Sequence, residues 1–213
     1  MANELQKVNA HPIVLPTDKP KGVVLLQGEK PVYAKHIDNM NVTIHMSSTE
    51  PQLLKPELSP SLFDFDREFY NLFVVGDDFD IKTDQPFKVE CKRALKEYMT
   101  NELKLIFSML DGDDIIERIK RFPCLFAHEN NYSGSTDEEQ YLGFGYIREI
   151  KVRREGIKIY PHIMYLLKQQ RINEMMFDLD IWGSSSYNEL NRMHWSIKKV
   201  DLIAELRESG YQI

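Results

Sequence analysis

Cysteine is scarce in this chain: there are two, Cys91 and Cys124, and neither belongs to a CxxC pair. That excludes a disulfide framework and the paired-cysteine zinc ribbons. Both lie among apolar residues, so both are expected to be reduced core thiols. No run approaches the roughly 18–20 apolar residues of a membrane span. Met1 is followed by polar residues, without the apolar stretch of a secretory signal. No membrane partner and a cytoplasmic location are therefore expected. An excess of positive charge is also missing. The formal net charge is −6, which argues against broad, nonspecific nucleic-acid binding. There is no GxxxxGK[ST] phosphate loop, and Gly143-Phe144-Gly145 reads as a strand feature.

What remains is an ordinary globular composition, 42% apolar and 28% charged over 213 residues, sufficient for one large domain or two small ones. Charge is unevenly spread. Residues 57–84 hold eight acids, Glu57, Asp64, Asp66, Glu68, Asp77, Asp78, Asp80 and Asp84, against Arg67 and Lys82. Residues 148–171 hold seven bases, Arg148, Lys151, Arg153, Arg154, Lys158, Lys168 and Arg171, against Glu149 and Glu155. Two solvated surfaces are the plain reading; a polarised molecule whose basic hairpin meets a phosphate or an acidic partner is the functional one.

The expected fold class is α+β: short N-terminal strands, a long central helix, and a C-terminal β-hairpin subdomain followed by helices. Prolines punctuate residues 1–60 and oppose long helices. Strands are expected at 22–27 and 41–46, and a loop over 47–61. Phe65, Phe69 and Phe73 recur every fourth residue, favouring a helix over 62–75, with a strand at 71–75 as its competitor. Asp84, Pro86 and the spacing of Leu95, Met99, Leu103, Ile106 and Leu110 predict the long helix, from Pro86 to Leu110. A shorter helix follows over 113–121, then a strand at 123–128 and a mobile polar loop at 129–140. Strands at 141–152 and 157–165 flank a turn at Arg153-Arg154-Glu155-Gly156. Helices are expected over 166–179, over 187–197 behind a Ser186/Glu189 capping box, and over 202–208 behind Asp201. The natural division is 1–121 and 122–213, either as two domains or as one continuous domain.

Several constellations could carry chemistry. Glu90-x-Lys92 with Asp77, Asp78 or Asp80 upstream matches the residue types of a PD-(D/E)xK nuclease, where carboxylates hold a divalent cation and a lysine sits by the attacking water. That chemistry needs Glu90 and Lys92 on a strand, and the helix expected there points them apart. Cys124, His128, Glu129 and His162 could ligate zinc, but their order fails the zinc-deaminase pattern and a second cysteine is missing. Cys124 with a histidine, or a serine of 184–186 with His194, would be a nucleophile and its base. None of these is complete, so no catalytic residue, metal or cofactor is assigned. The favoured binding residues are Arg148, Lys151, Arg153 and Arg154 of the hairpin, with Arg192, His194 and Trp195 as a recognition surface.

The run Arg192-x-His194-Trp195-x-Ile197-Lys198-x-Val200-Asp201-Leu202, with Pro123–His128 and Gly145–Ile150, resembles a small module of uncharacterised bacterial proteins. In that module a β-hairpin precedes a helical ending, and it accompanies anti-phage defence effectors, including TIR-domain proteins. The resemblance covers residues 120–206 and implies no catalytic residues. Since no effector domain follows Ile213, it implies a stand-alone sensor or accessory subunit. The leading expectation is thus a non-enzymatic binding or regulatory protein with a protein partner, or with a phosphate-bearing ligand or nucleic acid at the basic hairpin. The alternatives are the metal-dependent nuclease, and a phage or viral inhibitor presenting the acidic 57–84 surface.

Overall fold

The structure, a computed structural model, describes residues 64–110 and 112–213, and the backbone of three short strands before them. It divides into two units, Met1–His45 and Met46–Ile213. In the first, β1 (Val24–Leu26) and β2 (Val32–Ala34) pair antiparallel. The strand expected at 41–46 lies outside the described residues.

The second unit contains β3 (Gln52–Leu53), β4 (Tyr70–Val75), β5 (Phe87–Val89), α1 (Asn101–Phe107), α2 (Asp113–Lys120), β6 (Cys124–His128), β7 (Tyr141–Arg153), β8 (Gly156–Lys168), α3 (Gln169–Glu174), β9 (Gly183–Ser184), β10 (Tyr187–Asn188), β11 (His194–Lys198) and α4 (Leu202–Glu208). Seven strands form one mixed sheet in the order β11-β4-β6-β7-β8-β3, with β5 also on β8. The sheet draws strands from both sides of residue 121. Among the described strands of this sheet, β4 and β6 are the one parallel pair; α1 and α2 lie in the connection between them, as a parallel crossover requires.

The class is mixed α and β, but the expected long central helix is absent. Residues 87–89 instead pair with β8. Leu95 and Tyr98 take φ of 56° and 52°, a left-handed backbone no α-helix can contain. The Leu95 amide donates to the Trp195 carbonyl at 2.7 Å, and the Trp195 amide to the Arg93 carbonyl at 3.0 Å. Tertiary bonding thus claims the donors that a helix would use internally. Helix survives only in α1, where the Thr100 hydroxyl accepts from the Leu103 amide.

The C-terminal helices are corrected in the same way. β8 runs on to Lys168, leaving only α3 of the helix expected at 166–179. Over 187–197 the chain makes β10, a 3-10 turn at Glu189–Asn191 and then β11. The capping box there is Asn188 with Asn191, not Ser186 with Glu189. α4 is capped by Asp201, as its sequence predicts. Of the helix expected over 62–75, residues 70–75 form the competing strand instead, β4, and all six are buried.

The core is strongly aromatic. Trp195, Phe73 and Phe126 are cross-strand neighbours on β11, β4 and β6. Their rings stack, with Phe73 centred 5.1 Å from Trp195 and 5.2 Å from Phe126. Phe87 meets both Phe73 and Phe126 edge-on. Each such pair contributes about 0.5–1.5 kcal/mol beyond its area burial. Phe69, Phe107 and Phe122 form a second cluster under α1. The β7–β8 hairpin closes through Arg154-Glu155, with Gly156 at φ 149°. A bulge displaces the register at Phe144/Gly145; there a Cβ on Gly145 would overlap the His162 carbonyl, so the bulge requires glycine.

The loop at 129–140 is not loose. Asn130 bonds Asn173, Asn188 and Gln169. Gln169 reaches the His128 carbonyl, and Thr136 bonds Gln140 and Gln170. These amides tie the loop to α3 and to the 3-10 turn. Among the described residues no helix is long and apolar enough to cross a membrane.

Candidate binding cleft

β5 is a short strand on the edge of β8, and it sets the site. Its alternation buries Val89 and half-buries Phe87 while exposing Lys88. Register places Lys88 opposite Lys158 on β8, and Lys158 opposite Lys151 on β7. Three lysines therefore stand in one row across three strands, with Arg153 two residues beyond Lys151 on the same face. Like charges directly opposed across strands are destabilising. Lys151 is relieved by Glu149 at 3.1 Å and by Tyr160, whose hydroxyl lies 3.3 Å away; these contacts raise its pKa, the Tyr160 bond first. Lys158 lies 5.4 Å over the Tyr160 ring. Among the described residues no carboxylate pairs with Lys88, Lys158, Arg153 or Arg154.

A cavity of about 480 Å³ opens beside this row, lined by Phe79, Gln85, Pro86, Phe87, Lys88, Arg153, Gly156 and Lys158, with Asp78 and Glu155. Gly156 belongs here too: a Cβ would collide with the Lys88 side chain, so the turn glycine lets that lysine lie across the hairpin end. A recess of about 250 Å³ adjoins the cavity, sharing Asp78, Phe79, Phe87 and Lys88 and reaching Val74–Gly76, Glu90, Arg93, Met193 and His194. It sits at the carboxyl end of β4, one of the two parallel strands, where open α/β sheets commonly bind ligands.

Behind the recess lies a buried charge network. Lys198 meets Glu189 at 2.7 Å, with both side chains almost fully buried. The Lys198 ammonium also donates to the carbonyl of left-handed Tyr98 at 2.9 Å. His194 Nε2 is 3.2 Å from the Ser196 hydroxyl and 3.6 Å from Glu189; its Nδ1 faces the Arg192 carbonyl at 2.8 Å.

The sequence-predicted residues scatter. Lys151, Arg153 and Arg154 are at the hairpin end; Arg153 lines the cavity. Arg148 is committed to the carbonyls of Pro161 and Asp84. Arg192 pairs with Glu97 at 3.1 Å. His194 and Trp195 do not form a surface: both are buried in β11, and the Trp195 indole donates to Asn71 at 3.0 Å. Glu90 and Lys92 follow β5 in a turn, exposed and bonded to each other at 2.9 Å, which lowers the Glu90 pKa. Asp80 caps its own turn through the Lys82 amide, and Asp78 lines both cavities. Among the described residues no group of three or more His, Cys, Asp or Glu could hold a metal ion. Cys124 is buried as expected, but Cys91 is exposed. His162 contacts Asp84 at 3.0 Å, whereas the Cys124 thiol meets Asn71.

Sequence reasoning missed Lys88 and Lys158 as a pair, and Phe79 and Phe87 as a wall. The Phe-Lys-Val alternation of 87–89 was the available signal, and the helical spacing around it masked it. No protein-family model, no curated protein and no solved structure matches this chain.

Proposed function

We propose that this chain is a non-enzymatic binding protein that takes a phosphate-bearing ligand at the Lys88–Lys158 cleft. The carrying observation is the lysine row beside a cavity of ligand size. Lys88, Lys158 and Arg153, which no carboxylate pairs among the described residues, are relieved by a bound anion, and a phosphate offers acceptors to two or three of them at once. The resemblance of residues 120–206 suggests the setting, a sensor or accessory subunit in bacterial anti-phage defence. The test is calorimetric titration with inorganic pyrophosphate at low salt, on the wild type and on Lys88→Ala/Lys158→Ala. Binding that weakens at least tenfold in the double variant and falls with added salt supports the reading. No heat with pyrophosphate, or equal affinity in the variant, overturns it.

A protein partner is the second reading, favoured by exposed Phe177, Trp182 and Tyr187, since exposed aromatics commonly anchor interfaces. Light scattering of the chain mixed with candidate effector proteins checks it, with Trp182→Ala expected to abolish any complex.

A further inference from the structure

We infer that the ligand of this cleft is a nucleoside phosphate, with its phosphates on the lysine row and its base in the recess behind Phe87. This rests on the phosphate reading above and adds the other half of the molecule. The two cavities adjoin through Phe79, Phe87 and Lys88, so one ligand can occupy both. Their chemistry differs. The larger one is basic on balance, with Lys88, Arg153 and Lys158 against Asp78 and Glu155. The recess is balanced in charge, with Asp78 and Glu90 against Lys88 and Arg93, beside apolar Val74, Val75 and Met193. Carboxylates accept hydrogen bonds. They suit the hydroxyls of a sugar or the amino group of a base, while the cation excess of the larger cavity favours the phosphates there.

The aromatic wall fits the same moiety. Phe87 is braced edge-on against Phe79, 4.9 Å between centroids, and against Phe73 at 5.4 Å. It keeps partial exposure, so one part of the ring is free to meet a flat heterocycle. Gly76 borders the recess, and a side chain there would press on Met193 and Asp78 at 3.1 Å. The glycine thus keeps the recess open at the carboxyl end of β4.

The experiment titrates the chain with ADP, GDP, CDP and UDP, with adenosine, and with inorganic pyrophosphate. At least one nucleoside diphosphate is expected to bind tenfold or more tighter than pyrophosphate. Phe87→Leu and, separately, Gly76→Val are expected to erase that advantage, and Gly76→Val, which lies outside the larger cavity, leaves pyrophosphate affinity within about twofold. Circular dichroism reports whether each variant is folded, and Glu90→Gln, on an exposed side chain that lines the recess alone, serves if both core-adjacent variants unfold. If every diphosphate binds no tighter than pyrophosphate, this inference falls and the phosphate reading stands. If the advantage survives in the folded recess variants, the base lies elsewhere and the inference also falls. If neither nucleotide nor pyrophosphate binds, both readings fall together.

Discussion

Lys88 and Lys158 face each other directly across the β5–β8 ladder. Opposed like charges destabilise a strand pair, and an opposite pair contributes roughly 0.2–1 kcal/mol. Lys158→Glu is therefore expected to raise stability by about 0.5 kcal/mol in phosphate-free buffer while weakening pyrophosphate binding. Chemical denaturation and titration on the same preparation measure both. A loss of stability beyond about 1 kcal/mol would show that the lysine has a structural role instead.

The Glu189–Lys198 pair is buried, and removing one partner strands the other's charge. Lys198→Met is expected to cost about 3–5 kcal/mol. Adding Glu189→Gln should restore much of that loss, because both charges are then gone. Urea midpoints of the two single variants and the double variant test the coupling; simple additivity would contradict it.

The two thiols should behave differently. Cys91 is exposed, whereas Cys124 is buried and bonded by Asn71. Burial pushes the Cys124 thiol far above its ordinary pKa, which keeps it out of its nucleophilic form. A thiol-reactive chromophore should titrate one cysteine in the native protein and two after denaturation. Rapid native labelling of both would disprove the burial of Cys124.

Tyr70 gives the protein an alkaline limit. Burial, then the charges of Glu189 and Asp180, raise its pKa well above the ordinary 10.0. The folded chain keeps a proton that the unfolded chain releases, so stability falls as pH rises. The contribution is intact below pH 10 and is lost as pH climbs above it toward the folded-state value. Tyr70→Phe loses the 2.7 Å bond to the Leu179 carbonyl and should start less stable at pH 8. It should also decline less between pH 10 and pH 11, which denaturation at several pH values measures. Parallel decline in both proteins would remove Tyr70 as the cause.

The hairpin, α2, β6 and α4 were legible because local signals agree with tertiary ones. The Arg154-Glu155-Gly156 turn needs a glycine and has one; α4 has its Asp201 cap. The Phe65/Phe69/Phe73 spacing was not decisive, since positions four apart share a face in a strand as well as in a helix. Residues 86–110 misled for a different reason. Their spacing is helical, but the Leu95 amide and Arg93 carbonyl are taken by Trp195, a residue far along the chain. The lysine row is invisible for the same reason: opposition across strands depends on register, which residue types alone do not fix. Arg153 was legible as part of a basic turn, whereas Lys88 needed β5 to be recognised first.

Strand β4 is held on its outer edge by β11, and the Trp195-to-Asn71 bond joins positions 124 apart in sequence. During synthesis β4 therefore emerges long before the strand that covers that edge. Until β11 arrives, Leu72 and Phe73 offer an apolar ribbon with unpaired amides, the state in which nascent chains stick to one another. Ribosome-bound chains halted before residue 194 should need a chaperone to stay apart, and a supplied peptide of the β11 sequence should release them from it.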